Sequence, residues 1–293
     1  MVQQFLVYGL LDGALFAAIA IGFALVWGVN GIINLAHGEM VMLGAYTTYW
    51  FHQVLASDPS LLVVLATVPV AAGLLFAVGY GVQRLLIERV AQTNIFLTLL
   101  VTFGLSIFIQ QLAIQAWTAT PRGIPFTFAD PSIEVAGLFI PKLRLFVFFG
   151  AIGLSVAVWL FVTRTRTGRA IRAVSQDEQT AALLGIDVER IRAISFGISA
   201  AIAGAAGSFV AVLLTVRPQM GLAYTIRSFI IVVFGGIGSI IGALLGGLTL
   251  GEIESLATGL IGSQWSLAAS YVFLILLLVV RPQGLFGQER GAG

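Results

Sequence analysis

The chain has 293 residues, of which 59% are hydrophobic and only 10% are charged, and its mean hydropathy is +1.02. This composition excludes an ordinary soluble protein and predicts an integral membrane protein in which residues 1–293 form a single domain. The net charge of +2 comes from a few arginines in loops, which report the orientation of the chain in the membrane and do not form a nucleic-acid surface. The lack of cysteine excludes disulfides and thiol chemistry.

Apolar runs that approach the roughly 20 residues needed to cross a bilayer follow one another along the chain. They lie at residues 5–28, 39–54, 61–83, 95–115, 145–163, 193–214, 222–260 (with a glycine break inside) and 265–280. The runs are apolar on every side, which favours helices over a barrel, because a helix satisfies its own backbone hydrogen bonds in lipid. We predict an all-α polytopic membrane protein with about eight transmembrane helices, in a range of about seven to nine.

The lysines and arginines predict the orientation, because short loops rich in these residues stay in the cytoplasm. One set of loops holds Arg84, Arg89, the six arginines of residues 164–192, Arg281 and Arg290, and the other holds Arg122, Lys142, Arg144 and Arg217. We expect the first set and the C terminus to be cytoplasmic and the N terminus to lie outside, provided that residues 5–54 and 222–260 each cross the membrane twice. Either stretch could instead be a shallower re-entrant hairpin.

Two glycine-interrupted stretches, near residues 28–39 and 234–247, are candidates for the transport pathway. Non-helical backbone at membrane depth is tolerated only where it is buried in protein or lines a cavity. The candidate pathway residues are Asn30, Asn34, His37, Gly38, Glu39, Gly235, Gly236, Gly238 and Ser239. Ionisable groups in a membrane indicate function, although the first stretch could equally be a cytoplasmic turn in which Glu39 complements a helix dipole.

Small residues recur every four positions near the C-terminal end, which predicts close helix packing. They are Gly238, Gly242 and Gly246 in one row and Ala243, Gly247 and Gly251 in another. These rows could pack within the bundle or form a seam with a second transmembrane subunit.

Residues 164–192, called the polar loop below, hold six arginines and four acids in an otherwise apolar chain. Ser175 and Glu178 form a capping-box pattern, which predicts a short helix over residues 176–184. Gly185 is expected to end that helix in the left-handed conformation, and Asp187 is expected to cap the next helix.

A helix of about two turns is marginal in isolation, so its apolar residues must pack against another surface. That surface could be the inner lipid face, the ends of the bundle or a soluble protein. The sequence has no GxxxxGK[ST] phosphate loop, and its one lysine is Lys142, so ATP that drives transport would bind to another chain. This favours docking on a soluble protein through Ala181, Ala182, Leu183 and Leu184.

Three segments resemble signature segments of the permeases of branched-chain amino acid ABC importers, in the shorter of the two permease types. They read NGIINLAHGEMVMLGAY, AVSQDEQTAALLGIDVERIRAISFGISAAIAGAAG and VVFGGIGSIIGALLGG. The resemblance extends from Val7 to the RPQGLFG tail at residues 281–287. One departure concerns the EAA motif of many ABC permeases, which has three residues between its alanines and glycine, whereas two separate Ala182 from Gly185.

The resemblance implies a subunit of the bacterial inner membrane that works with a second permease, two ATP-binding cassette subunits and a periplasmic substrate-binding protein. It also implies that residues 175–187 form the coupling helix, which enters a groove on an ATPase. The candidate coupling residues are then Ser175, Asp177, Glu178, Ala181, Ala182, Leu183, Leu184, Gly185 and Asp187. Residues 34–39 and 235–239 would then lie near the pathway.

We therefore predict a permease subunit of an ATP-driven importer for branched-chain or other hydrophobic amino acids, with alternating access and with no catalytic residue, metal or cofactor of its own. Another cargo within the same family, such as urea, amides or aromatic acids, stays open. A proton-coupled secondary transporter that uses Asp12, His37, Glu39 or Glu252 as relays is the alternative from a different class.

Overall fold

The computed structural model describes residues 2–55, 61–91, 95–126, 132–135 and 137–280. The helices are α1 (Val2–Asn30), α2 (His37–Leu55), α3 (Leu61–Val82), α4 (Glu88–Ala91), α5 (Ile95–Trp117), α6 (Lys142–Arg164), α7 (Arg166–Gln176), α8 (Glu178–Leu183), α9 (Val188–Leu213), α10 (Gly221–Gly235), α11 (Ile240–Ile261) and α12 (Ser266–Val280). A π-helical turn, Gln83–Ile87, joins α3 to α4, and a 3-10 turn, Pro218–Met220, precedes α10. Strands β1 (Ser132–Val135) and β2 (Leu138–Pro141) form an antiparallel hairpin before α6.

Within the described chain, eight segments are long and apolar enough to cross a membrane, which confirms the predicted all-α polytopic fold. They are Val2–Asn30, Leu61–Val90, Phe96–Trp117, Lys142–Arg164, Val188–Leu213, Pro218–Gly235, Ile240–Ile261 and Ser263–Val280. The predicted apolar run at 39–54 forms α2, which is not one of the eight. Its polar side chains, such as Glu39 and Thr48, are buried against other helices and are not exposed to lipid.

Helices α1 and α9 form the centre of the bundle. In each of them, 83% of the most apolar 18-residue stretch is buried inside the protein. By contrast, only 6% of the corresponding stretch that contains α12 is buried. Alanine and glycine dominate the contacts of α1 and α9, because small residues let helix backbones approach closely where lipid gives no hydrophobic drive for association. The large apolar side chains on the outside of α3, α5 and α12 are therefore available to lipid or to another membrane subunit.

The glycine rows of α11 pack inside the bundle, which confirms the first of the two predicted uses. A Cβ atom on Gly247 would overlap Ala17 of α1, and one on Gly251 would overlap Gly13. Gly242 meets Gly235 of α10 in the same way. These positions fix α11 along the length of α1.

Residues of the two predicted sets of loops lie at opposite ends of α1. At its start, the Tyr8 hydroxyl donates to the Phe139 carbonyl of β2 at 3.1 Å. At its end, the Asn30 side chain donates to the Arg192 carbonyl in the polar loop at 3.4 Å. Of the remaining arginines, Arg84 pairs with Glu189 of the polar-loop end, and Arg122 forms a β-bridge with Val216, next to Arg217. Arg281, Arg290 and the 281–287 tail lie outside the described residues.

Residues 31–36 turn back into the bundle after α1 ends. His37, the first residue of α2, has its Nε2 atom 3.0 Å from the Ile19 carbonyl. Ile19 lies eleven positions before the end of α1, or about 16 Å along the helix axis. Helix α2 therefore begins in the middle of the bundle. The stretch 5–54 combines a full-length helix with a re-entrant segment and a helix that starts at mid-depth.

Candidate functional site

The N-terminal ends of α2 and α10 meet beside the middle of α1. The Gly38 amide of α2 donates to the Thr225 hydroxyl of α10 at 2.8 Å. The same hydroxyl lies 3.3 Å from the Leu35 carbonyl, to which it donates. We call residues 34–39 and 221–225 together the helix junction. It brings two interrupted helices into contact at mid-depth, as in transporter folds whose broken helices form the central site.

Glycine makes this contact possible. A Cβ atom on Gly38 would overlap the Gly221 carbonyl, and a Cβ atom on Gly221 would overlap the Glu39 carboxylate. The two backbones therefore touch at positions where a larger side chain has no space.

Glu39 is the buried acidic residue of the helix junction, with 1% of its surface exposed. The Ser106 hydroxyl of α5 donates to its Oε1 atom at 3.1 Å, whereas its Oε2 atom has no hydrogen-bond partner among the described residues. Glu39 lies in the first turn of α2, where the helix dipole favours a negative charge. A buried carboxylate with one free oxygen is costly to keep, which makes it a candidate for a role in transport.

Asn34 and His37 organise the same junction. The Asn34 side-chain oxygen accepts the Ala36 amide at 3.0 Å, so it turns the chain into α2. The fully buried His37 ring contacts the Ile19 carbonyl of α1, and its Nδ1 atom lies 3.5 Å from the Ser199 hydroxyl of α9. Both side chains therefore connect α2 to the central helices.

The second predicted pathway segment lies elsewhere. Gly235, Gly236, Gly238 and Ser239 form the turn between α10 and α11, at the opposite end of α10 from the helix junction. The Ser239 hydroxyl accepts the Gly242 amide at 2.9 Å and caps α11. Gly238, with a φ angle of +79°, packs against Gly28 near the end of α1. The structure does not bring this turn to residues 34–39, because the 15 residues of α10 lie between them.

The partners of residues 34–39 are residues 221–225, which lie at the start of the predicted apolar run 222–260. The sequence contains one signal of a helix start here, because Pro218 and Gly221, which disfavour a continuous helix, lie just before Thr225. Their pairing with a segment some 190 positions earlier depends on tertiary packing, which local patterns do not contain.

Asn30, the remaining pathway candidate, lies apart from the helix junction at the polar-loop end of α1. Its Nδ2 atom donates to the Gln83 side-chain oxygen at 3.1 Å. It lines a cavity of about 130 Å³, which also contacts Thr98 and Arg192. We call this space the Asn30 cavity.

The polar loop folds into α7 and α8, and the predicted capping box at Ser175 is wrong. Helix α7 continues through Gln176, so the Ser175 hydroxyl donates to the Arg172 carbonyl one turn earlier. Asp177 caps α8 instead, because its Oδ1 atom accepts the Thr180 amide at 3.0 Å. The Thr180 hydroxyl and amide stabilise the carboxylate and lower the pKa of Asp177. Helix α8 is accordingly shorter than predicted, Glu178–Leu183.

The predicted end of α8 and start of α9 are confirmed. Gly185 adopts a φ angle of +83°, its amide donates to the Ala182 carbonyl, and the Ile186 amide donates to the Ala181 carbonyl. This pair of bonds is a Schellman motif. The Asp187 side chain then accepts the Arg190 amide at 3.0 Å and caps α9.

Helix α8 buries one apolar residue and exposes the others. Ala181 is 2% exposed, whereas Leu183 and Leu184 are 88% and 76% exposed. Ala182 is exposed as well. The apolar surface predicted to pack against a partner is thus mostly uncovered by the described chain.

Arg192 links α8 to the bundle. Its guanidinium pairs with Glu178 of α8 and lies 3.6 Å from the Glu88 carboxylate of α4. Because Arg192 also lines the Asn30 cavity, one side chain contacts both α8 and the cavity.

Arg227 and Glu254, two charged residues that lie far apart in the apolar run 222–260, form a pair in the structure. Arg227 Nε lies 2.8 Å from one carboxylate oxygen and Nη2 lies 3.0 Å from the other. The Ser270 hydroxyl of α12 also donates to Glu254 at 2.6 Å. This buried cluster holds α10, α11 and α12 together.

A helical bundle with apolar spans, with interrupted helices that meet at its centre and with a capped helix displayed at one end agrees with the class of membrane transport permeases. The family described as "Branched-chain amino acid transport system / permease component" matches residues 5–281. The chain belongs to this family.

The chain is 35% identical to BraD of Pseudomonas aeruginosa, a high-affinity branched-chain amino acid transport system permease protein, over 97% of this chain and 95% of BraD. It is 26% identical to LivM of Escherichia coli, a permease protein of a system with the same description, over 94% of this chain but only 68% of LivM. The near-complete coverage of BraD confirms the shorter permease type. A solved structure, PsaBC from Streptococcus pneumoniae in complex with Fab, has a similar fold, with a TM-score of 0.50 and 12% identity over 96% of this chain and 93% of that chain.

Proposed function

We propose that this chain carries branched-chain amino acids across the bacterial inner membrane as the shorter permease subunit of an ATP-driven importer. The observation that carries this proposal is the similarity to BraD over nearly the full length of both chains. The apolar character of the bundle agrees with an aliphatic cargo, since the permease needs to offer only a weak and largely apolar passage.

Two ATP-binding cassette subunits would supply the energy. The sequence contains no phosphate loop, and α8 presents Leu183 and Leu184 to the surroundings. Two exposed leucines on a helix capped at both ends form a rigid apolar contact, which suits docking in a groove of a soluble subunit. The polar-loop end of the bundle and the C terminus would then be cytoplasmic, as the arginine distribution predicts.

A second permease and a periplasmic substrate-binding protein complete the proposed assembly. LivM supports the second permease, since it is a longer relative of this chain that belongs to a transport system with the same description as that of BraD. The binding protein would dock at the end of the bundle that holds the β1–β2 hairpin and deliver cargo towards the helix junction.

The helix junction would act in the pathway as a gate that opens when α2 and α10 separate. Two hydrogen bonds of Thr225 and the close glycine contacts hold the two helix ends together in this structure. Movement of α8 reaches α9 through Asp187 and Arg192, and α9 contacts the junction through Ser199.

Uptake by the reconstituted importer tests this function. Proteoliposomes that hold both permeases and both ATPases, supplied with the binding protein, should accumulate leucine, isoleucine and valine only when ATP is inside. Urea, acetamide and benzoate should not be accumulated at the same concentrations. Preferential uptake of one of these compounds would overturn the proposed cargo. Leucine uptake abolished by a proton ionophore at constant ATP would instead support the secondary-transporter alternative.

A further inference from the structure

The Asn30 cavity lies between the end of α1, the π-helical turn after α3, α5 and α9. Its volume of about 130 Å³ is several times the roughly 30 Å³ that one water molecule takes in the liquid. It is therefore large enough for the polar end of a small organic molecule. It lies beside the non-helical residues 31–36, which lead from the end of α1 to the helix junction.

Three polar atoms around this cavity lack hydrogen-bond partners among the described residues. They are the Thr98 hydroxyl, the Asn30 side-chain oxygen and the Arg192 Nε atom, and all three are buried. Thr98 as a whole is 1% exposed. Buried polar atoms nearly always have a partner, so these three atoms indicate an occupant, water or a ligand, that forms hydrogen bonds.

The remaining polar groups of the cavity limit what the occupant can be. The Asn30 amide nitrogen donates to Gln83, and the Gln83 amide nitrogen donates to Glu88 at 2.8 Å. The free capacity of the lining is thus an amide oxygen that accepts, a hydroxyl that accepts or donates and one cationic N–H that donates. Beside the cavity, the Glu88 Oε1 atom also has no hydrogen-bond partner among the described residues. Ile32 and Ile87, which are 4% and 0% exposed, supply an apolar wall.

We propose that the Asn30 cavity is a subsite for the amino-acid cargo. The cargo ammonium group would donate to Asn30 and Thr98, its carboxylate would accept from Arg192, and its aliphatic side chain would contact the isoleucine wall. This inference rests on the proposed function, because it assumes that an aliphatic amino acid is the cargo.

The charges beside the cavity favour an occupant that carries an ammonium group. Arg192 has two carboxylates, Glu88 and Glu178, within ion-pairing distance, so this cluster carries one net negative charge, which disfavours an anion such as phosphate. An amino acid at neutral pH adds one charge of each sign, so the cluster attracts its ammonium group while the occupant adds no net charge.

Arg192 also makes the subsite responsive to α8. The guanidinium that would contact the cargo carboxylate is held at its other nitrogens by Glu178 of α8 and Glu88 of α4. A shift of α8 on ATP binding would move Arg192 relative to Asn30 and Thr98. The cavity would then release its cargo at the polar-loop end.

Cysteine protection in the complete importer tests the subsite, since this chain has no native cysteine. Thr98→Cys should react with a small methanethiosulfonate reagent, and leucine at twice its dissociation constant should slow that reaction about threefold by mass action. Glutamate and urea at the same concentration should not slow it. Thr167→Cys on α7, at the same end of the bundle but outside the cavity, is the matched control and should react equally with and without leucine.

A second pair of variants keeps the test valid if the thiol perturbs folding. Thr98→Val removes the hydroxyl and keeps the shape, so it should slow leucine uptake several-fold, whereas Thr98→Ser should retain it. Unprotected or absent labelling of Thr98→Cys, or equal uptake by the Val and Ser variants, would overturn the subsite while wild-type leucine uptake upholds the proposed function. Failure of the wild-type importer to take up any branched-chain amino acid would overturn the function itself.

Discussion

Gly38 and Gly221 let α2 and α10 touch, and this contact predicts an unusual cost for one added methyl group. In Gly38→Ala the new Cβ atom would overlap the Gly221 carbonyl, so the helix junction must open or shift. Overpacking of this kind costs about 1–3 kcal/mol, and we expect a lower melting temperature and several-fold slower uptake. The melting temperature of the detergent-solubilised importer and the initial uptake rate measure the two effects.

Gly104→Ala in α5 is the matched control, because among the described residues no atom beyond the local helix backbone lies within 4 Å of a Cβ atom there. Alanine is the better helix former by about 1 kcal/mol, so this variant should be neutral or slightly stabilising. Equal melting temperatures and uptake rates for the two variants would contradict the role of close packing at Gly38.

Arg227 and Glu254 form a buried pair whose disruption should be costly. The Arg227 and Glu254 side chains are 18% and 8% exposed, and Glu254→Gln leaves the guanidinium without a countercharge. Removing one partner of a buried ion pair costs about 3–5 kcal/mol. We expect a large fall in the melting temperature and in the amount of protein that reaches the membrane.

Glu189→Gln gives the comparison for an exposed pair, since the Arg84 and Glu189 side chains are 40% and 57% exposed. Exposed pairs contribute about 0–1 kcal/mol, so this variant should melt close to wild type. If Glu254→Gln melted equally close to wild type, the cluster around Glu254 would not stabilise the bundle.

The single residues that sequence analysis placed correctly are those governed by their immediate neighbours. Gly185 and Asp187 are a helix stop and a helix cap in the structure because both roles depend on the backbone within four positions. Ser175 was wrong for a local reason too, since Asp177 competes for the same role and α7 continues past Ser175. The contacts of Glu39 with Ser106 and Gly221 were out of reach because they join distant parts of the chain.

At the scale of single elements, α8 carries the proposed coupling to the ATPases. The double variant Leu183→Asp and Leu184→Asp replaces the exposed apolar contact with two charges, while the capping bonds of Asp177 and Asp187 stay in place. Uptake and ATP hydrolysis stimulated by the loaded binding protein should both fall at least about tenfold, the effect of losing ~1.4 kcal/mol or more of docking energy.

Replacing both leucines with methionine is the control, because it keeps the apolar character and the approximate volume and should preserve coupling. An immunoblot of the membrane fraction shows whether the aspartate variant is still inserted. Full uptake by an inserted aspartate variant would show that α8 does not dock on the ATPases.

Hydropathy predicted most of the long elements and missed two features for physical reasons. The run at 39–54 was apolar enough to suggest a span, but its polar residues are buried by α9 and α10, and a hydropathy window does not report depth in the bundle. Helix α7, with four arginines in or beside it, was hidden because amphipathic surface helices have little net hydrophobicity.

At the scale of the whole molecule, the helix count follows from composition, whereas the order of packing does not. Both α1 and α9 look like any other span in the sequence, yet they are the buried centre of the bundle and α12 is at its edge. What distinguishes α1 and α9 is their content of small residues, which favours close packing but does not specify partners. The pairing of α2 with α10 depends on tertiary contacts between segments far apart in sequence.

The orientation of the bundle gives a prediction that involves the entire chain. Glu134 in the β1–β2 hairpin and Gln179 in α8 are both exposed and lie at opposite ends of the bundle. Because the chain has no cysteine, Glu134→Cys and Gln179→Cys each introduce a single thiol into it. In spheroplasts of cells that make the permease alone, a membrane-impermeant maleimide should label Glu134→Cys at once and Gln179→Cys only after permeabilisation. The unaltered chain should stay unlabelled in both conditions, and labelling of Gln179→Cys in sealed spheroplasts would reverse the orientation and place α8 out of reach of any cytoplasmic ATPase.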